Sequence, residues 1–230
     1  MILLMRPRML VVLFAAGILA ACAERTPTRA PTEPGTPTRA QAPAAGAKAV
    51  FAAGCFWCVE EAFEAVEGVR EVVSGYTGGN VPNPSYREVT TGRTGHYEAV
   101  EVTYDPNVVD YAALLSVFWR NVDPTDDGGQ FCDRGSSYLG AIFPVDDAQR
   151  ALAEASRAAL VDDPEAPKPI VTPILDGAPF YLAEDYHQDY YRKNPIRYRY
   201  YKGACGRSDR LEAVWGDYRP GSVLADGASG

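Results

Sequence analysis

Residues 49–76 read AVFAAGCFWCVEEAFEAVEGVREVVSGY. An unbroken apolar run over 49–53 meets Gly54, after which Val59, Ala62, Phe63 and Val66 recur at helical spacing. Gly68 then supplies a helix stop, and a second apolar stretch follows. The pattern predicts a strand over 49–53, a helix over 55–66 and a strand over 69–76. Further out, EAVEVTY alternates strictly, which predicts a half-buried strand over 98–104 with Ala99, Val100 or Val102 marking its packed side. Residues 110–121 and 146–160 read as amphipathic helices, each opened by an aspartate suited to N-capping. Between them SSYLGAIF reads as a strand after a glycine-rich loop; 170–175 reads as another strand, and 184–193 as a short helix ended by Asn194-Pro195. Strands alternating with helices predict an α/β (α+β) two-layer sandwich, a mixed β-sheet with flanking helices on a ferredoxin-like core.

The flanks are of another kind. Arg6 and Arg8 precede an apolar run that ends in small residues at Leu19-Ala20-Ala21-Cys22, the pattern of a lipoprotein signal in residues 1–21. It is too short to serve as a stable membrane span. Lipidation at Cys22 would anchor the exported chain to a bacterial membrane, on its periplasmic side or at the cell surface. Residues 22–48 then hold the lipidated cysteine and a Pro/Thr/Ala-rich stretch with no aliphatic side chain larger than alanine, which predicts a disordered tether. Residues 49–219 are the expected folded domain, and 220–230 a disordered tail. With 30 acidic against 22 basic side chains the sequence carries a net charge of −8, which argues against a nucleic-acid partner. The cysteine spacing gives no zinc pattern, and no metal is expected.

The cysteines carry the chemistry. Cys55 and Cys58 flank Phe56 and Trp57 at the expected start of a helix. A thiolate there would face free backbone N–H groups, and its pKa should fall. The two aromatics could line an apolar pocket for a methyl or thioether group, or could be core residues of the first helical turn. Local chemistry leaves both open.

Longer motifs narrow the choice. GCFWCVE, then GYTGGNVPNPSYREVTTGRTGHYEAVEVTYDP, DPTDDGGQFCDRGSSYLGAIF and YLAEDYHQDYYRKNP occur in one order from about Val50 to Pro195. Together they resemble the peptide methionine sulfoxide reductases of the A type, and KGACGRSDRLEAVWG resembles the tail of a subgroup. The resemblance implies Cys55 as the nucleophile that attacks the sulfoxide sulfur, with Phe56 and Trp57 holding the methyl group. It implies Glu98 of GHYE as the acid that protonates the oxygen, with Tyr86 and Tyr138 as hydrogen-bonding phenols and Asp133 beside them. His187 would hold the loop that borders the pocket. A sulfoxide oxygen leaves poorly until protonated, so the chemistry itself requires an acid near the nucleophile.

Two positions depart from the pattern: Cys58 stands where many relatives have glycine, and Leu139 where they have arginine. A sulfenic acid at Cys55 would be resolved by a second thiol. Cys205, in the glycine-flanked KGACG, is expected first for its mobile approach; Cys58 has the close C-x-x-C spacing; Cys132 adjoins Asp133. The implied partners are free methionine sulfoxide, oxidised proteins or peptides, and a thioredoxin-like reductant. No organic cofactor is expected, and the enzyme is expected to be a monomer. The rival readings are a dithiol-disulfide oxidoreductase built on the C-x-x-C alone and a non-catalytic surface lipoprotein with structural disulfides.

Overall fold

The structure is a computed structural model that describes residues 46–218. The expected signal segment, Cys22, nearly all of the tether and the expected tail lie outside the described residues. The elements in chain order are β1 (Ala47–Ala53), α1 (Phe56–Glu64), β2 (Val69–Thr77), α2 (Tyr86–Val89), β3 (Tyr97–Tyr104) and α3 (Tyr111–Arg120). They continue with β4 (Gly129–Gln130), β5 (Asp133–Arg134), a 3-10 turn (Ser136–Tyr138), β6 (Gly140–Phe143), α4 (Asp147–Asp162), β7 (Tyr181–Leu182), α5 (Tyr190–Lys193), α6 (Pro195–Ala204) and α7 (Arg207–Trp215).

The main sheet has the order β6-β1-β3-β2-β7. Its first four strands, with α1 linking β1 to β2 and α3 lying between β3 and β6, form the ferredoxin-like core. Each helical connection passes over an intervening strand, so strands that run the same way are never neighbours and every ladder is antiparallel. The expected mixed sheet survives only as one parallel bridge, Ile142 to Ile174.

The run AVFAA is apolar throughout because both faces of β1 are covered. Ala49, Phe51 and Ala53 face the helices, where Phe51 stacks on Phe63 of α1 at 4.9 Å between ring centroids and on Phe118 of α3 at 5.4 Å. Val50 and Ala52 face the other way, with Ala99 and Phe143, under Leu175 and Phe180. Stacked rings of this kind add about 0.5–1.5 kcal/mol each beyond their buried area.

Asp110 and Asp146 cap α3 and α4 as expected, accepting from Ala113 N at 2.7 Å and Gln149 N at 2.8 Å. Three expectations need correction. Residues 170–175 are an extended cover over the sheet edge, with no ladder beyond that one bridge. Residues 184–189 form turns that place Asp189 in the left-handed region (φ 52°), leaving only α5 helical. There the Gln188 amide bonds the Ser74 N–H and C=O, so the segment is pinned to β2 rather than coiled. Pro195, expected as a stop, is the first residue of α6: proline has no N–H to lose at that position and its φ suits a helix start.

Candidate active site

The turn from β1 into α1 creates the site. Gly54 adopts φ +82°, and a Cβ there would lie 2.6 Å from Cβ of Gln130, so both the backbone conformation and the close approach exclude a side chain. Gln130 is buried and brackets Asp123, accepting from its N–H at 2.7 Å and donating to its C=O at 2.9 Å. That pair holds the loop that brings Asp133 and Tyr138 back to the start of α1.

Cys55 is the N-cap residue of α1 and is buried and unbridged. Its carbonyl, not its sulfur, accepts from Cys58 N at 3.1 Å. The free N–H of Phe56 goes to Glu98 Oε2 at 3.2 Å. The helix end therefore serves the carboxyl group rather than the thiol, and the expected fall in the Cys55 pKa does not occur. Burial, the neighbouring Cys58 and Glu98 push it well above the ordinary thiol value. Cys58 moves the other way, down to about 6, because Cys55 donates a hydrogen bond to it and Arg207, Tyr198 and Lys202 favour its thiolate. The two sulfurs form one coupled acid–base pair, with Arg207 and Lys202 drawing negative charge toward Cys58.

Glu98 sits in phase with Val100 and Val102, on the helix side of β3, which carries it beneath Phe56. Burial outweighs the Phe56 N–H, and Asp133 adds like charge, so the carboxyl group is pushed up to about 8 and is protonated at neutral pH. The Tyr138 hydroxyl interacts with Glu98 and with the Tyr86 hydroxyl, linking acid and phenols in one chain. Tyr86 is held by the capping box of Ser85 and Glu88 and by Glu184, which accepts from its N–H at 2.9 Å.

The aromatic wall follows. Phe56 is buried against Tyr76, Tyr86 and His187. Trp57 is half-buried, stacked on Tyr190 at 3.7 Å and edge-on to Tyr201. Trp57 Nε1 donates to His187 Nδ1 at 3.1 Å, and burial lowers the imidazole to about 4, so His187 is neutral and orients Trp57. Its Nε2 is buried without a partner.

All of the catalytic residues expected from sequence thus converge, as do Phe56, Trp57 and Cys58. Cys205 lies beside Asp133, its sulfur 3.9 Å from Asp133 Oδ2. It caps α6 and is bridged to Cys132, with Cα atoms 4.9 Å apart, while Cys55 and Cys58 are unbridged. The KGACG segment forms the tight turn between α6 and α7, held there by that bridge. Leu139 lines a separate hollow of about 160 Å³ with Tyr97 and Thr172, away from the thiols.

Two groups escaped sequence reasoning. Tyr201 donates to Asp133 Oδ2 and also hydrogen-bonds Cys55, joining nucleophile and carboxylate. Arg207 is buried, donates to the carbonyls of Ala53 and Asn121, and lies 4.3 Å over the Phe131 ring. The only signal for either was the dense run RYRYYKGACGR, where Tyr201 lies one helical turn before Cys205.

Comparison with known proteins agrees with this geometry. Residues 47–219 match the family model described as peptide methionine sulfoxide reductase. A peptide methionine sulfoxide reductase MsrA of Bacillus pumilus is 53% identical over 169 residues, 74% of this chain and 95% of the relative. MsrA 2 of Caulobacter vibrioides is 51% identical over 214 residues, 91% of this chain and 99% of the relative. Among solved structures, methionine sulfoxide reductase A of Corynebacterium diphtheriae superposes with a TM-score of 0.56 at 32% identity, covering 68% of this chain and 78% of that one. Reduced Mxr1 of Saccharomyces cerevisiae gives 0.57 at 28% identity, covering 67% and 88%. A buried thiol pair, a protonated carboxyl group and two phenols thus lie within a sequence that the family model matches almost from end to end of the described residues: the chain belongs to the peptide methionine sulfoxide reductase family and is an enzyme that reduces methionine sulfoxide to methionine.

Proposed function

We propose that this enzyme acts on the S epimer, free or in oxidised proteins and peptides, with Cys55 as nucleophile and Cys58 as the thiol that resolves it. One observation carries the reading: Cys55 hydrogen-bonds Cys58 on one side while Glu98, neutral by burial, lies on the other. Cys55 passes its proton to the Cys58 thiolate and attacks the sulfoxide sulfur. Glu98 gives its proton to the oxygen, and the phenols of Tyr138 and Tyr86 hydrogen-bond that oxygen as it leaves. The S–O bond of the substrate breaks as the OH passes to Cys55 Sγ, the new bond between Cys55 Sγ and the substrate sulfur opens with its electron pair going to methionine, and Cys55 is left as a sulfenic acid. Cys58 then attacks Cys55 Sγ, its proton joins the departing hydroxide, and water leaves with a Cys55–Cys58 disulfide behind. Phe56 and Trp57 hold the substrate methyl. Asp133, fixed by Tyr201, keeps the carboxyl group beside it protonated.

The reductant in this reading is an external dithiol, a thioredoxin-like protein, and the chain needs no organic cofactor. It is an exported monomer lipidated at Cys22, supported by the charged, apolar and small-residue order before that cysteine. The test is turnover of separate S and R epimers of a blocked methionine sulfoxide with dithiothreitol. Turnover of S alone is expected, and comparable turnover of R would refute the stereochemical reading. Cys58→Ser should still release one methionine per enzyme but lose steady-state turnover; recycling at the parent rate would remove Cys58 from the resolving role.

A further inference from the structure

Cys58 has a second face. Its sulfur meets Cys55 and Tyr198, and the residue also lines a cavity of about 470 Å³ walled by Glu61 and Ala62 of α1, by Ala65 at its end, by Asn121, and by Lys202, Arg207, Ser208 and Leu211. Neither Cys55, Glu98 nor any aromatic of the substrate wall lines it. Position explains the separation: Cys58, Glu61, Ala62 and Ala65 recur at three- and four-residue spacing, so they share the face of α1 turned toward α6 and α7. Small side chains at 62 and 65 leave the space open. Lys202 is paired with Glu61, and Arg207, held by the carbonyl oxygens of Ala53 and Asn121 and lying over the Phe131 ring, also lines the cavity.

We propose that this cavity is the entry for the reductant, through which an incoming thiolate attacks Cys58 Sγ of the Cys55–Cys58 disulfide. The inference rests on the reading of Cys58 as the resolving cysteine. Exchange at a disulfide requires the attacking, central and leaving sulfurs to lie nearly in line. With Cys55 leaving, the attacker must approach Cys58 from the side opposite Cys55, which is the cavity side. On the front side, Tyr201 and Trp57 crowd the thiols. In the first step the reductant sulfur bonds to Cys58, the Cys55–Cys58 bond breaks, and the electron pair goes to Cys55 Sγ, which Tyr201 hydrogen-bonds. Cys55 takes the proton of the reductant's second thiol. That second sulfur then attacks the first, closing the reductant's own disulfide and releasing Cys58 as a thiolate beside Arg207. A thiol with a depressed pKa leaves faster, so the charge placement suits Cys58 to this exit.

The test narrows the cavity from two independent walls, with Ala62→Phe on α1 and Ser208→Phe at the exposed start of α7. Each should keep its single-turnover yield of one methionine per enzyme while the steady-state rate with dithiothreitol falls at least ~10-fold, as loss of access to the attacked sulfur demands. Slowing with dithiothreitol and thioredoxin alike means that any thiolate uses this entry; slowing with thioredoxin alone means that only a protein's cysteine does. Parental recycling in both variants, or loss of the single turnover in both, overturns the separate entry. A direct reading comes from oxidised enzyme treated with 2-mercaptoethanol: the mixed disulfide should map to Cys58, and mapping to Cys55 overturns the proposal. If Cys58→Ser itself recycles normally, the fault lies in the resolving role and not in the route.

Discussion

In the proposed mechanism Glu98 is an acid at a pH where free glutamate is an anion, and its place on β3 raises its pKa accordingly. Alternation carries it to the same side as Val100 and Val102, under the first turn of α1, where desolvation exceeds the stabilisation from one backbone N–H. The rate should then need a protonated Glu98, pushed up to about 8, and a deprotonated Cys58, pushed down to about 6. A bell-shaped kcat/KM profile with apparent limbs near those two values is the expected result, the acid limb belonging to the thiol pair as a unit. Glu98→Gln should lose the alkaline limb and about 10²–10³ in rate, the range for a lost general acid. The sign for stability is opposite. A carboxyl group whose folded pKa is raised stabilises the fold below its unfolded value near 4.5, and that contribution is lost as pH rises through about 8. Glu98→Gln should therefore melt above the parent at pH 9 and not at pH 4, by about 2–4 °C per kcal/mol for a domain of this size. Calorimetry at the two pH values decides it.

Among the elements, β1, α1, β2 and β3 were legible because each buries a periodic apolar set; AVFAA and EAVEVTY announce their faces directly. The candidate site was legible through the motifs that sit on those elements, Cys55 and Glu98 above all. Helices α6 and α7 were not. Their residues include few apolar side chains in helical phase, and what fixes them is polar: Tyr198 to Glu61, Tyr201 to Asp133, and Arg207 to the ends of β1 and α3. Pairings across 68 to 154 residues leave no local trace, and the glycines around Cys205 read as flexibility. The Cys132–Cys205 bridge ties the loop carrying Asp133 to the end of α6, closing a loop with a separation of 73 residues. Opening it with Cys132→Ser plus Cys205→Ser should lower stability by up to ~4 kcal/mol on loop-closure grounds, read as a lower melting temperature. Turnover with dithiothreitol should persist, because Cys55 and Cys58 stay free to cycle; its complete loss would show that electrons must pass through the bridge. At the β1–α1 turn, Gly54→Ala forces a Cβ into Gln130 at positive φ, and a loss of more than ~1 kcal/mol in urea melts is expected. Unchanged stability there would mean that the turn can relax without disturbing Cys55.

At the scale of the whole molecule, the question is what holds the enzyme where its substrates are oxidised. The proposed anchor at Cys22 precedes the first strand at Ala47 by a stretch whose composition predicts an unstructured tether. The proposed export is compatible with the Cys132–Cys205 bridge, which suits an oxidising compartment, whereas the Cys55–Cys58 pair of the proposed mechanism would be reduced in every cycle. Anchoring and catalysis should then be separable. A single lipidated cysteine is the only attachment in this reading, and it lies outside the residues that carry the reaction. Cys22→Ala in the full chain should leave single-turnover chemistry at the parent level while the protein moves to the soluble fraction or accumulates with its leader uncleaved. Mass spectrometry of the parent's mature N-terminus gives the complementary reading, a diacylglyceryl mass on Cys22. A parent that fractionates as soluble and carries no lipid would leave the catalytic argument intact and remove the anchor.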